Sequence, residues 1–348
     1  MPYVGRKKIF DELFPNVSAY RWKQVTAALF KPAFLSWKDA SNLPEEMRAQ
    51  LEKRLPWMSV APALIQESAR HDTFKAALAL DDGQHIESVL MRNARGAWTV
   101  CVSSQVGCAM RCGFCATGKM GLIRSLDADE IIDQYRFWAA FLRDHKDLPS
   151  RISNVVFMGM GEPMANYESV RTTLNVWLAH TDLGRTRITV STVGILPRLE
   201  QLLNDKKWPH VRLAVSLHSA DPTLRKRIVP TSYDDFLPKL ADWARRYLKK
   251  FGNCRHHLTF EYVMLSGVND TDEQAKRLAE FVARVGHVRV NLIPYNLTGM
   301  EFQCSQPKQL DRFQSILEHR GVTVTRRRTM GDDIAAACGQ LITQNKGS

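Results

Sequence analysis

Apolar positions change their period along the chain. Up to about residue 58 they recur every three or four residues. Trp22, Val25, Ala28 and Leu29 fall on one helical face, as do Met47, Leu51 and Leu55. Pro44 followed by Glu45 and Glu46 is a helix start, with negative charge at the positive end of the helix dipole. Pro56 breaks this pattern. From 72 to 103 the chain reads as strands: 74–80 and 86–91 flank Asp81-Asp82-Gly83-Gln84, a hairpin signal, and 98–102 is one more.

Strand and helix then alternate. Strands are expected over 98–102, 152–158, 188–192, 212–217, 258–264 and 288–293. Helices are expected over 129–142, 167–178, 197–203, 236–248, 272–285 and 307–317. Asp127, with Glu130 three residues on, makes a capping box-like start for the first of these helices. Six strand–helix units imply a parallel sheet with right-handed crossovers. Six are too few for a closed eight-fold barrel. The expected fold is therefore α/β, an open partial (β/α)6 barrel with function at the C-terminal ends of its strands. A seventh strand, 322–326, leads to a tail. The expected organisation is a helical accessory domain over 1–60, a β-hairpin extension over 61–97, the barrel over 98–330 and the tail over 331–348.

Charge adds a partner to this picture. The 348 residues carry 48 Lys and Arg against 36 Asp and Glu, a formal charge of +12, which points to a polyanion. Positive runs occur at Arg6-Lys7-Lys8, Arg225-Lys226-Arg227, Arg245-Arg246 with Lys249-Lys250, and Arg326-Arg327-Arg328. A hydrophobic fraction of 45% excludes a disordered or collagen-like chain. No apolar stretch reaches membrane-spanning length, and no apolar segment follows the basic N-terminal residues as in a signal peptide. A cytoplasmic location, where thiols stay reduced, is the expectation.

Cys108, Cys112 and Cys115 form C-x3-C-x2-C just after a strand. Three thiolates on one loop can hold three irons of a [4Fe–4S] cluster, which ordinarily takes four Cys ligands, and so leave one iron open. Zinc or buried thiols are the alternative, but zinc sites favour paired C-x2-C units and no second pair stands nearby. Gly113 to Met120 nearly spells a phosphate-binding loop. Met120 occupies the position of the Mg²⁺-binding hydroxyl, so that chemistry is missing. Met158-Gly159-Met160-Gly161-Glu162-Pro163 ends the second barrel strand, where glycine admits close backbone approach and a carboxylate can accept bonds from an ammonium.

The cysteine spacing and the glycine-rich segment together resemble the radical S-adenosylmethionine (SAM) enzymes. Two further segments, Cys101-Val102-Ser103-Ser104-Gln105-Val106-Gly107-Cys108 and Ala336-Ala337-Cys338-Gly339-Gln340-Leu341, resemble the RlmN/Cfr family of radical SAM RNA adenine methyltransferases. The resemblance runs through nearly the whole chain. It implies that Cys338 takes a methyl group from one SAM. A second SAM at the cluster yields a deoxyadenosyl radical that abstracts hydrogen from that S-methyl group. The methylene radical then adds to adenine, and Cys101 resolves the adduct through a disulfide with Cys338. It further implies Cys108, Cys112 and Cys115 as cluster ligands and Glu87 as proton acceptor. The implied SAM contacts are Gly161, Glu162, Ser191, Ser216, Leu217, His218 and Asn296. Cys254 and Cys304 match no motif and are expected to be structural.

Glu162-Pro163, Gly331-Asp332-Asp333 and Pro294-Tyr295-Asn296 look RlmN-like, which implies methylation at C2 rather than the C8 of Cfr-like members. Met330 and Ala335 depart from the RlmN pattern, which usually carries Arg and Asp there. The resemblance implies a 23S ribosomal RNA substrate, with transfer RNA as a second candidate, a flipped-out base, a reducing donor such as flavodoxin, and a monomer. A small-molecule radical SAM enzyme would share the cluster without needing Cys101 and Cys338. A zinc-dependent RNA-binding module would share only the charge.

Overall fold

The computed structural model describes residues 5–252 and 258–342. Three helices, α1 (Arg6–Leu13), α2 (Ala19–Ala28) and α3 (Glu45–Arg54), enclose a small core of Phe10, Val25, Leu29, Trp37, Leu51 and Leu55. Trp37 Nε1 donates to Leu55 O at 2.7 Å, so the indole is buried without leaving its N–H unpaired.

Four antiparallel strands follow: β1 (Ala61–Glu67), β2 (Thr73–Ala79), β3 (His85–Arg92) and β4 (Trp98–Cys101). The β2–β3 turn forms as expected, with Leu80 N–H donating to Gln84 O at 2.8 Å. The hydrophobic pattern does not foretell β1. Its residues are almost all exposed, Leu64 and Ile65 included, so burial imposes no alternation, and Pro62 suits a sheet edge.

β4 is the switch point of the sheet, antiparallel to β3 and parallel to β7 (Ile152–Phe157). After it come a short ribbon of β5 (Gln105–Gly107) and β6 (Leu122–Ser125), with α4 (Ala116–Met120) between them, and then α5 (Ala128–Asp144). The parallel sheet continues through β7 (Ile152–Phe157), α6 (Tyr167–His180), β8 (Ile188–Thr192), α7 (Leu196–Asn204) and β9 (Arg212–Ser216). The remaining elements are α8 (Pro222–Ile228), α9 (Phe236–Phe251), β10 (Leu258–Met264), α10 (Asp272–Val285), β11 (Arg289–Pro294), α11 (Pro307–His319) and β12 (Thr323–Arg326). The order β1-β2-β3-β4-β7-β8-β9-β10-β11-β12 is linear, so the sheet is open, with six strand–helix units and a seventh parallel strand. The expected long elements all form, with ends shifted by no more than three residues. The Asp127–Glu130 capping box is present.

The helices cover the sheet with the apolar faces their periodicity marks: Trp138 on α5, Trp177 on α6, Trp243 on α9, Leu278 on α10 and Phe313 on α11 are buried. A buried polar lock pins the N-terminal helices to α5. Arg6 pairs with Asp133, which also accepts from Ser59 N and Oγ, both at 2.7 Å, and from Arg136 Nη1 at 2.5 Å. Arg6 is therefore buried in this lock and is not a free phosphate contact. Among the described residues no helix is long and apolar enough to cross a membrane.

Candidate active site

A cavity of about 150 Å³ opens at the C-terminal ends of the parallel strands. Its walls include Cys108, Cys112, Cys115, Gly161, Glu162, Ser191, Ser216, His218 and Cys338. Residues far apart in the chain thus converge on one chamber.

The cysteine loop is fixed at both ends. Cys108 N donates to Gly121 O at 2.8 Å, and Gly113 N to Ile228 O at 2.9 Å, while Cys115 caps the start of α4. Burial pushes the Cys108 thiol up to about 12 and the Cys112 and Cys115 thiols up as well. Backbone N–H groups of Met110 face the Cys108 sulfur, and those of Thr117 and Gly118 face Cys115. Three desolvated thiols, two of them met by amide donors, fit the ligand set of an iron–sulfur cluster, whose sulfur charge such donors stabilise. Among the described residues no three His, Cys, Asp or Glu side chains close on one point as ligands of a single ion would.

Gly161 has φ +96°, and a Cβ there would lie 2.5 Å from Gln105 Cβ. Only glycine permits this turn. The turn delivers Glu162, which is buried and caps the following 3₁₀ turn by accepting from Met164 N at 2.9 Å. Its other oxygen accepts from Val193 N at 2.8 Å. Burial raises its pKa, against these bonds and one from Thr192. Ser191 and Ser216 sit at or next to the ends of β8 and β9, on the cavity wall. His218, at φ +55°, accepts from Val263 N through Nδ1 at 3.1 Å. Burial lowers its pKa to about 3, with the nearby Arg225 guanidinium adding to the effect, so the ring is neutral.

Two expected contacts stand apart from the chamber wall. Leu217 is fully buried, with its N–H bonded to Glu261 O at 3.0 Å. Asn296 lines a smaller adjoining cavity, and its Nδ2 donates to Cys338 O at 3.1 Å. Glu87 is likewise off the wall. It is buried on β3, where burial raises its pKa and Lys75 opposes the rise. Lys75 Nζ lies 3.1 Å from Oε1, and Ile342 N donates to Oε2 at 2.7 Å.

Cys101 ends β4 beneath the chamber, its thiol pushed up to about 12 by burial and by the neighbouring Cys338. Cys338 rides on a tail tied to α4: Ala116 N donates to Gly339 O at 2.8 Å, and Thr117 Oγ1 to Leu341 O at 2.6 Å. Both thiols are free. The Arg327 guanidinium acts on both of them and on the buried Glu261 carboxylate, and its Nη1 lies 2.9 Å from Met158 Sδ. Sequence reasoning missed Arg327, Glu261 and Lys75 as members of this region. A charged residue within an otherwise apolar strand, as Glu261 is, was the available signal.

The basic runs divide. Arg225 is buried rather than free for phosphate: it donates to Ser216 O at 2.9 Å and Val193 O at 2.7 Å, and lies over the Phe236 ring. It ties the exits of β8 and β9 together. Lys226, Arg227, Lys249 and Arg328 are exposed. Cys304 is exposed, its thiol donating to Tyr295 O at 2.8 Å, and Cys254 lies outside the described residues.

The sequence model of the radical SAM superfamily matches residues 102–282. A dual-specificity RNA methyltransferase RlmN from Solidesulfovibrio magneticus is 39% identical over 334 residues, covering 94% of this chain and 92% of the relative. One of the same name from Ruthia magnifica is 36% identical over 325 residues, covering 92% and 88%. The crystal structure of a radical SAM methyltransferase from Sphaerobacter thermophilus aligns with a TM-score of 0.86 at 38% identity, covering 95% of this chain and 96% of that one. With the cysteine chamber and the open six-unit barrel, these matches mean that the chain belongs to the RlmN family of radical SAM RNA methyltransferases, whose cofactors are a [4Fe–4S] cluster and SAM.

Proposed function

We propose that the protein methylates C2 of an adenine in 23S ribosomal RNA through an S-methylcysteine at Cys338, with Cys101 as the resolving thiol. The observation that carries this reading is the convergence of Cys101 and Cys338 beside a chamber walled by Cys108, Cys112 and Cys115. Adenine C2 has no lone pair to attack a sulfonium, so direct polar methylation fails there. A methyl parked on a thiolate can be converted into a carbon radical instead. The cluster and SAM, when bound, supply the deoxyadenosyl radical for that conversion.

The chain supplies the rest. Cys108, Cys112 and Cys115 hold the cluster. Glu162, with Gly161, meets the SAM amino group, and Ser191, Ser216 and the neutral His218 ring orient the nucleoside. The Cys338 sulfur loses its proton as it gains the first methyl. The derived methylene carbon bonds to C2, the C2 hydrogen leaves as a proton for which Glu87 is the acceptor, and the one electron the adduct must lose would return to the cluster. The Cys101 thiolate then attacks the Cys338 sulfur, forming the disulfide, and the expelled methylene carbon takes a proton to become the methyl group. An external thiol reductant then resets the pair. Two SAM molecules are consumed per turnover.

The relatives' name, dual-specificity RNA methyltransferase, supports a second kind of substrate, for which transfer RNA is our candidate. Exposed Lys226, Arg227, Lys249 and Arg328 are candidate phosphate contacts. A flavodoxin-like donor, a monomeric state and the cytoplasm complete the reading. The test is mass spectrometry of ribosomal and transfer RNA treated with the cluster-loaded protein. The reading predicts 2-methyladenosine. 8-Methyladenosine would overturn the C2 assignment, and zinc without iron in anaerobically purified protein would overturn the radical chemistry.

A further inference from the structure

We propose that Lys75 is a positioning residue for Cys338, acting with Glu87 as a clamp that grips the tail on both sides of the thiol. Lys75 on β2 is in register with Val89, and Glu87 on β3 with Ala77, so the two are diagonal neighbours on one face of the sheet. They are 8% and 6% exposed, and Nζ lies 3.1 Å from Oε1. Burying an ion pair is costly unless its remaining bonding capacity is used. Here that capacity goes to one segment. Lys75 Nζ donates to Ala335 O at 3.3 Å, and Glu87 Oε2 accepts from Ile342 N at 2.7 Å. These two contacts bracket Cys338 in the sequence.

The other side of the tail is held by the barrel, through Ala116, Thr117 and Asn296. A pair serving only to brace the β2–β3 hairpin would have no use for bonds to the tail backbone. Held from both sides, the Cys338 sulfur has a fixed place over the chamber. Radical transfer requires such a place, because the S-methyl group must meet the radical before solvent does.

The proposal rests on Cys338 being the methyl carrier. The experiment compares full-length, cluster-loaded wild type with Lys75→Met, Lys75→Arg and the double variant Lys75→Met/Glu87→Gln, which removes the pair without stranding a charge. Three quantities are read: amide exchange of the tail peptide 333–342, S-methyl occupancy of Cys338, and 5′-deoxyadenosine formed per methylated adenosine. Exchange in the tail should speed up roughly ten- to hundredfold in Lys75→Met, as expected for losing bonds to charged groups. Exchange in the β7–β11 strands should stay as in wild type. Deoxyadenosine should outrun methylation severalfold in that variant, and Lys75→Arg should restore both. Wild-type tail exchange in both Lys75→Met and the double variant, with wild-type coupling in Lys75→Met, would overturn the clamp. So would a loss of protection spread over the whole sheet, which marks a purely structural pair. Absence of S-methyl on Cys338 in wild type would overturn the functional reading instead, and the exchange result would still judge the clamp.

Discussion

Cys101 and Cys338 come within electrostatic reach of each other at the top of the barrel, and the Arg327 guanidinium acts on both. One side of the sheet's switch point and the chain's tail thus deliver two thiols to one guanidinium. Burial alone would keep Cys101 neutral and inert; a fixed cation beside it favours the thiolate that disulfide formation needs.

Arg327→Met should therefore slow resolution about tenfold or more, so that a covalent RNA–protein adduct accumulates. Burial holds the Cys101 thiol well above its ordinary value, so below that range its thiolate fraction grows about tenfold for each unit by which the pH is raised. Raising the pH should shorten the adduct's lifetime in wild type and variant alike. Gel electrophoresis of the adduct against pH reads this, and a flat profile would separate Arg327 from thiol activation.

His218 should reveal itself in acid. Its folded pKa, about 3, lies below the ordinary histidine value of 6.5, so the stability it contributes is present above pH 6.5 and lost as pH falls toward 3. The loss is on the order of 5 kcal/mol. Urea midpoints of cluster-free wild type and His218→Gln should converge between pH 7 and 4. Parallel curves would place the charge elsewhere.

Arg6 should matter for stability rather than for RNA. Arg6→Met removes one of the two cations that hold the buried Asp133 carboxylate down at about 2, leaving Arg136 and Ser59, and should cost about 3 kcal/mol. Lys8→Met, on the exposed face of α1, should cost less than about 0.5 kcal/mol by the same denaturation assay.

Ala335 has φ +50° and ψ +41°. A left-handed conformation costs an alanine about 1–2 kcal/mol, so Ala335→Gly should gain about 0.5–1 kcal/mol after the added unfolded-state entropy, and Ala335→Val should lose stability. Thermal unfolding of the two variants checks the sign.

The long elements were legible because their apolar faces repeat over many residues, and the three clustered cysteines because spacing alone places them on one loop. β1 was not, since an exposed edge strand imposes no alternation, and α4, α8 and the β5–β6 ribbon are too short to show a period. Basic runs were legible as charge but not as burial. Arg6 vanishes into the interior because Asp133 awaits it far along the chain, and Arg225 because the ends of β8 and β9 turn their carbonyls toward it. The clamp was illegible for the same reason: Lys75 and Glu87 lie far from Ala335 and Ile342 in sequence, and only sheet register and the path of the tail bring them together.

The central claim is that the methyl group reaches adenine C2 by way of Cys338. Trideuteromethyl SAM offers the most direct measurement, with mass spectrometry of both RNA and nucleoside products after several turnovers. The account predicts 2-methyladenosine retaining two of the three deuterium atoms, with the third in 5′-deoxyadenosine, and no methylated RNA from Cys338→Ala. Methyl groups that keep all three deuterium atoms, or methylation that survives Cys338→Ala, would contradict it.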